Sequence, residues 1–349
     1  MRLTGGAATR GMQYDLFYSP DALAWTPYEG NPVIDTGKEL GRWSGRFHEW
    51  DPVRETYFVT MEASHHWRGP YGKRLVGRAE SSDMIHWSEP EIVLVPDADD
   101  APDTEFYGMP TFPYEGIYVA MLFIFRTTNV THHPEVVFSR DGFRYLRNYR
   151  EPFIPRGGAL ADFDSSSVYP MDMLVHGDRI MTYYIGANMR SGEVAFELGD
   201  KSREGIGLAT SRIDGFVSVD SGKGWIVVDR SEDELEKTPG ERVLFEEPES
   251  FGQMVTRPFT FWGSQLHLNA SMASLAAGPG PGEVRVEILR PNYKKLAGLT
   301  FNDVDPMTQS NLDHVVSWHS SSDLSALAGK TIKLRFYLKN AKLYSFQFM

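Results

Sequence analysis

The chain has 349 residues, no cysteine and a formal net charge of −12. The missing cysteine excludes disulfides, thiolate metal sites and cysteine nucleophiles. The acidic balance speaks against nucleic acid, whose phosphates need a positive field, and against an anionic membrane surface.

No apolar run approaches the ~18 residues that span a bilayer. The opening stretch MRLTGGAATRG lacks the apolar core of a secretion signal, so the compartment stays open, as does the oligomeric state. In chain order, strand signals dominate: YDLFY, YFVTMEA, IYVAMLFIF, IMTYYIGA, GEVRVEIL and TIKLRFYL. These segments are rich in β-branched and aromatic residues and bounded by Gly, Pro, Asp and Asn. Helical periodicity over more than about ten residues is scarce. The charged DELEKTPGE at 233–241 reads as a solvated loop. The expectation is an all-β chain.

One phrase recurs. Ser-x-Asp, with an aromatic four residues beyond the Asp, occurs at Asp21 and Trp25, at Asp83 and Trp87, and at Asp141 and Tyr145. A degraded copy lies at Asp214 and Phe216. Each period holds the same order: a polar-aromatic strand, a hairpin, a hydrophobic strand, a variable loop, a third strand, the turn and a short last strand. Periods of ~40–50 residues or more with several strands each mean propeller blades. The Ser and Asp side chains bond nearby backbone N–H groups and fix the turn, and the ring packs between blades. From about Met254 the turn is absent, and the alternating segments read as a separate β-sandwich. The expected division is a propeller over residues 1–250 and a sandwich over 251–349, joined by the acidic stretch 231–250.

In a four-stranded blade, the start of the first strand and the loop between the second and third share one face. The Ser-x-Asp turn falls on the other. The functional face therefore gathers Arg46 and His48, then Asp103, Glu105 and Tyr107, then Asp162 and Asp164. The loops add Trp67 in SHHWRGPYGKR, Arg126 and His132 in RTTNVTHHPE, and Asn188 in NMRSGEV. Carboxylates, arginines and rings at one mouth suit a sugar, the rings stacking on its apolar faces and the polar groups bonding its hydroxyls. Arg46, His48, Trp67, Arg126, His132 and Asn188 are the candidate substrate contacts. Two carboxylates are what glycoside hydrolysis requires. The doublets His65–His66 and His132–His133 offer at most one metal ligand each from a regular strand, because neighbours point to opposite faces. No cofactor is expected, although a structural calcium ion is compatible with the sequence. There is no Walker-type phosphate loop and no Gly-x-Ser-x-Gly elbow.

This blade grammar resembles the five-bladed β-propeller glycosidases, the group that contains invertases, levansucrases, arabinanases and β-xylosidases. Residues 139–145 resemble their blade turns and WDPVRETYFV their inner hairpins. A propeller followed by a β-sandwich ending in LAGKTIKLRFYLKNAKLYSFQF resembles the invertase-like branch. The resemblance implies a five-bladed propeller that cleaves a furanoside or related bond in an oligo- or polysaccharide. It also implies a nucleophile or base Asp on the first blade, an auxiliary Asp on the second and an acid Glu on the third. By blade order Glu105 takes the acid place, and Asp51 is nearest to the second-blade Asp. The first-blade Asp has no counterpart, because the sequence opens on what reads as the third strand of an incomplete blade. Either an upstream segment supplies it, or the ring closes differently and Asp164 is the second carboxylate. The alternative is a non-catalytic carbohydrate-binding propeller or a decayed glycosidase.

Overall fold

The computed structural model describes residues 2–8, 11–35, 43–63, 73–159, 162–189, 203–221, 251–272 and 280–349, with the backbone alone for 2–12, 43–49 and 63. The described residues contain no α-helix; one 3-10 turn lies at Ser325–Leu327. No helix among them is long and apolar enough to cross a membrane. The chain divides into two compact units. One comprises Met1–His176 and Met181–Thr210, the other Gly177–Ile180 and Ser211–Met349.

The first unit opens with a four-stranded sheet of β1 (Arg2–Ala8), β2 (Gly11–Tyr18), β3 (Thr26–Pro27) and β4 (Ile34–Asp35). The sequence reading began this sheet at β2. The structure corrects it: β1 pairs antiparallel with β2 from Arg2↔Phe17 to Ala8↔Gly11. A stretch rich in Gly, Ala and Thr carries little strand propensity of its own, so only the pairing reveals it.

A second sheet is an antiparallel meander of β5 (Trp43–Asp51), β6 (Thr56–Ala63), β7 (Leu75–Ser81) and β8 (Glu91–Leu94). The third has eight strands. Its path runs through β10 (Thr111–Tyr114), β11 (Ile117–Arg126), β12 (Thr131–Ser139), β14 (Ser167–His176), β15 (Arg179–Ala187) and β16 (Glu204–Arg212). Two short strands complete it, β9 (Thr104–Phe106) on β11 and β13 (Tyr145–Leu146) on β12.

Side-chain alternation packs these sheets face to face. On β6, Val59 and Met61 join Tyr14, Ile34 and Ala79 in one buried cluster against the first sheet. The intervening residues of β6 turn the other way. There Val76 meets Phe106, Met109, Ala120, Leu122, Ile124 and Val137 in the next cluster, and the Thr60 hydroxyl donates to the Met109 carbonyl at 2.5 Å. Strand β7 serves both clusters, with Ala79 in the first and Val76 in the second. IYVAMLFIF is apolar on both faces, with Ala120, Leu122 and Ile124 buried on one and Val119, Met121 and Phe123 on the other.

The recurring turns are nearly superimposable in their bonding. Asp21 Oδ1 accepts from the N–H groups of Leu23 and Ala24 at 2.9 and 3.0 Å. Asp83 Oδ1 accepts from Ile85 and His86, both at 2.8 Å. Asp141 Oδ1 accepts from Phe143 and Arg144, both at 2.8 Å. Each Ser hydroxyl donates to its Asp at 3.0–3.1 Å. The residue after each Asp is left-handed: Ala22, Met84 and Gly142 have φ of 62°, 65° and 78°. Backbone donors hold the three aspartates below the usual carboxylate range. Asp214 differs. It accepts from the Ser345 hydroxyl at 2.5 Å and the Asn269 amide at 3.3 Å, both within the second unit.

The second unit has two four-stranded sheets. One is β17 (Val219–Asp220), β24 (Lys342–Phe348), β20 (Leu266–Ser271) and β22 (Asn311–Val315), in that spatial order. The other is built on β23 (Thr331–Lys339), which pairs with β18 (Gly252–Val255), β19 (Phe259–Thr260) and β21 (Glu283–Leu289). Leu266, Leu268 and Leu343 from the first meet Val284, Val286, Ile288, Leu334 and Phe336 from the second in a single buried cluster. This is a two-layer sandwich core.

Gly142 separates backbone freedom from close packing. Ala22 and Met84 occupy the same left-handed place with side chains, so the turn itself does not demand glycine. A Cβ on Gly142, however, would lie 2.6 Å from a terminal nitrogen of Arg78, whose side chain is fully buried. Gly142→Ala is expected to lower the unfolding free energy by more than the ~1–2 kcal/mol of a left-handed alanine. A urea titration of the purified variant measures it.

Candidate functional site

The two ends of β11 differ in chemistry. Tyr118 at its start pairs with Ser139, and Arg126 at its end pairs with Thr131. The Ser139–Asp141 turn therefore lies at one end of the sheet and Glu105, opposite Phe125, at the other. Glu105, Phe125, His132 and Ser167 form one row across four strands.

That row carries an aromatic cluster. The Phe125 and His132 rings stack at 4.5 Å and 9°. Tyr107 meets the His132 ring edge-on at 4.8 Å, and the Tyr169 hydroxyl lies 2.7 Å from His132 Nδ1. His132 is fully buried, so it holds the cluster together from within instead of presenting a ring to solvent.

Glu105 is bonded to Arg74. The Arg74 guanidinium donates from one terminal nitrogen to Glu105 and from Nε to Glu62 at 3.0 Å. Its cationic carbon sits 5.5 Å from the Tyr107 ring centre and 5.3 Å from that of Phe125. The Phe106 N–H donates to the Arg74 carbonyl at 3.1 Å, tying the start of β7 to β9. Burial works against the Arg74 charge, but the Glu105 hydrogen bond and the Glu62 charge outweigh it and raise its pKa. One guanidinium thus spans two carboxylates from adjacent sheets. Their spacing stays below roughly 9 Å, the upper range of glycosidase carboxylate pairs. Arg74 is 30% exposed and Glu105 16%, so a ligand can reach them. Sequence reasoning missed Glu62. Its signal is the one acid inside the apolar strand YFVTMEA.

Arg126 instead binds Asp103, with Nε at 2.9 Å and a terminal nitrogen at 2.5 Å. The pair staples the hairpin after β11. Asn188 Oδ1 accepts from the Arg203 N–H at 2.7 Å. Asp164 accepts from the Tyr184 hydroxyl at 2.8 Å. Burial first, and that bond second, push the Tyr184 hydroxyl up to about 12. Glycines crowd this pair: a Cβ on Gly157 would lie 2.5 Å from Asp164 Oδ1, and one on Gly186 2.6 Å from its Cβ. The backbone of Arg46 and His48 runs in β5, with the register shift between Gly45 and Phe47; their side chains lie outside the described ones. Trp67 and the 65–66 doublet lie outside the described residues, as does 233–241.

Asp51 stands apart. It pairs with Thr56, while the neighbouring Tyr57 pairs with Ser81, so it sits at the Ser-x-Asp end of its sheet. It is fully buried and accepts from Tyr118 Oη at 2.5 Å, Arg78 at 3.1 Å, and the N–H groups of Val53 and Arg54 at 3.0 and 3.1 Å. Tyr118 and Phe125 are seven residues apart on β11, roughly 23 Å at ~3.3 Å per residue. Asp51 and Glu105 therefore occupy opposite ends of the sheets, beyond the reach of one scissile bond. The sequence offered Asp51 as the nearest match to a second-blade Asp, and the register places it at the far end of the strand.

No family model matches the chain. No curated protein matches it either. Among solved structures it is distantly similar to a glycoside hydrolase at 16% identity and a TM-score of 0.44, covering 58% of each chain. It is also similar to a thermostable family-43 glycoside hydrolase at 13% and 0.43, covering 58% of this chain and 63% of that one. A third is a β-1,2-mannobiose phosphorylase from Listeria innocua, at 12% and 0.44, covering 59% and 52%. The chain thus spans 58% of the length of the first of these.

Asp51 gives a prediction with a sign. Burial opposes its ionisation, yet the bonds from Tyr118, Arg54, Val53 and Arg78 hold its pKa below the ordinary value of 3.8. A depressed folded pKa stabilises fully above the unfolded value and is lost as pH falls through the folded one. Asp51→Asn leaves the buried Arg78 without its fully buried counter-charge and should cost about 3–5 kcal/mol at neutral pH. The difference between wild type and variant should then shrink below about pH 4, as read from urea midpoints across that range.

Proposed function

We propose that the chain is a carbohydrate-active protein that acts on glycosidic bonds where Glu62, Arg74 and Glu105 meet. Successive face-packed sheets bearing the same turn support reading the first unit as a five-bladed propeller, with the second unit as an accessory sandwich that begins near Ser211, before the expected boundary at 250. The observation that carries the functional reading is the pair of carboxylates from two sheets on one guanidinium, beside the Tyr107 ring, at the accessible end.

In this reading a sugar of an oligo- or polysaccharide lies against Tyr107 and bonds Arg74 through a hydroxyl. Arg74 turns from Glu105 to that hydroxyl, and Glu105 takes up a proton. Glu105 then protonates the leaving glycosidic oxygen. A second carboxylate, Glu62 or Asp164, takes a proton from the water that adds to the anomeric carbon as the glycosidic bond breaks; or it attacks that carbon itself, and a water deprotonated by Glu105 then cleaves the resulting ester and frees the sugar. Asp51 holds the sheets and stays out of the chemistry. Arg126 and Asn188 shape the rim, and His132 supports Tyr107 and Phe125 from below.

The Arg74 bridge favours a second reading as well. With both carboxylates bonded to one cation, the same side chains recognise a sugar without cutting it. Aryl furanosides and pyranosides separate the two. If the chain is a hydrolase, release of the aryl group falls by ~10²–10⁴-fold in Glu105→Gln, with the variant still binding the glycan. If it is a binding module, no substrate is turned over, and Arg74→Met removes glycan retention in affinity electrophoresis. Turnover undiminished in Glu105→Gln overturns the acid assignment.

A further inference from the structure

The second unit contains a cleft that the reading above does not use. It has a volume of about 400 Å³ and is lined by Asp178, Arg179, Arg212, Ser310, Asn311 and Leu312. Arg212 is half-buried and fixed. One terminal nitrogen donates to Asn269 Oδ1 at 2.5 Å, to the Asn311 carbonyl at 3.2 Å and to the Ala270 carbonyl at 3.3 Å. Its guanidinium lies 4.3 Å from the Tyr344 ring centre. All these acceptors are neutral, so the positive charge is oriented without being neutralised. Its Nε is buried with no hydrogen-bond partner. Arg179 is exposed, and neither arginine has an ion-pair partner among the described residues. In a chain of net charge −12, two arginines without carboxylates on one cleft mark a place where an anion gains more than water offers.

The other lining groups narrow the anion. The Ser310 hydroxyl oxygen accepts from the Met272 N–H at 2.9 Å, which leaves its hydrogen free to donate outward. The Asp178 side chain is exposed and pairs with neither arginine, so it can accept from a ligand hydroxyl. Half-buried Leu312 adds an apolar wall. The cleft therefore sums to one positive charge, with a donor and an acceptor for hydroxyls beside it. We propose that it binds a sugar acid: one carboxylate on Arg212 and Arg179, ring hydroxyls on Ser310 and Asp178. The site lies wholly within the second unit and stands or falls separately from the Glu105 chemistry.

The test uses the full chain, with glucuronate and galacturonate as probes and glucose and inorganic phosphate as controls, followed by calorimetry or ligand-observed NMR. A uronate should bind, glucose at the same concentration should not, and added salt should weaken the binding. Arg212→Met should weaken it by roughly tenfold or more, as expected for a lost charge-assisted pair. Because Arg212 also braces Asn269 and Ala270, the exposed Arg179→Met serves as the second variant and should weaken binding without disturbing the far-ultraviolet dichroism. Glu105→Gln should leave uronate binding intact. Glucose binding as tightly as glucuronate, phosphate binding in its place, or binding unchanged in both arginine variants overturns the proposal.

Discussion

The first unit depends on one buried cation. The Arg78 side chain is fully inaccessible, with Asp51 at 3.1 Å and Glu80 at 2.7 Å. Its guanidinium lies 4.1 Å from the Phe58 ring centre, 5.0 Å from Phe143 and 5.4 Å from Tyr118. It also reaches the Gly142 carbonyl at 3.4 Å. Burying a charge costs several kcal/mol unless its partners are well placed. Here the partners come from β5, β6, β7, β11 and the turn after β12. The second sheet and the eight-stranded one must therefore meet in one register for Arg78 to be satisfied. A sliding of either by one residue would turn its partners to the wrong face.

This constraint divides labour along the sheets. The Arg78 end is closed, with each partner consumed by another. The far end is looser: Arg74, Glu105 and Tyr107 are only partly covered, and the arginine holds two carboxylates at once. Between them run β6 and β11, which feed one buried cluster each, and β7, which feeds both. Rigid packing at one end lets the open end keep polar groups in fixed positions without sealing them away.

Much of the strand content was legible because it is local. YDLFY, YFVTMEA, IYVAMLFIF, IMTYYIGA and TIKLRFYL fall within strands, as does GEVRVEIL after its first residue. The Ser-x-Asp phrase was legible for the same reason, since its bonds close within six residues. The aromatic beyond it was read less fully: the Trp25 and Trp87 indole N–H groups fold back to the carbonyls of Ala22 and Met84 at 3.1 and 2.9 Å. What sequence could not give were meetings across sheets. Glu62 and Glu105 are 43 residues apart, and only register places both beside Arg74. Arg126 was read as a substrate contact, but its guanidinium goes to Asp103, a pairing that only the strand register reveals. Asp51 was the nearest match to a second-blade Asp, and only the register shows which end of the strand it occupies.

The Ser-x-Asp turn draws every bond it needs from its own few residues. It therefore carries no memory of its neighbours, and duplication of its gene segment yields a working corner wherever it lands. The Arg78 pocket is the opposite case, since a copy without its three surrounding rings would leave a bare ion in an apolar wall. A chain grown by reduplication should accordingly repeat its corners and differ in its junctions. Here the corners share one set of bonds, while the Arg78 junction draws its partners from several strands.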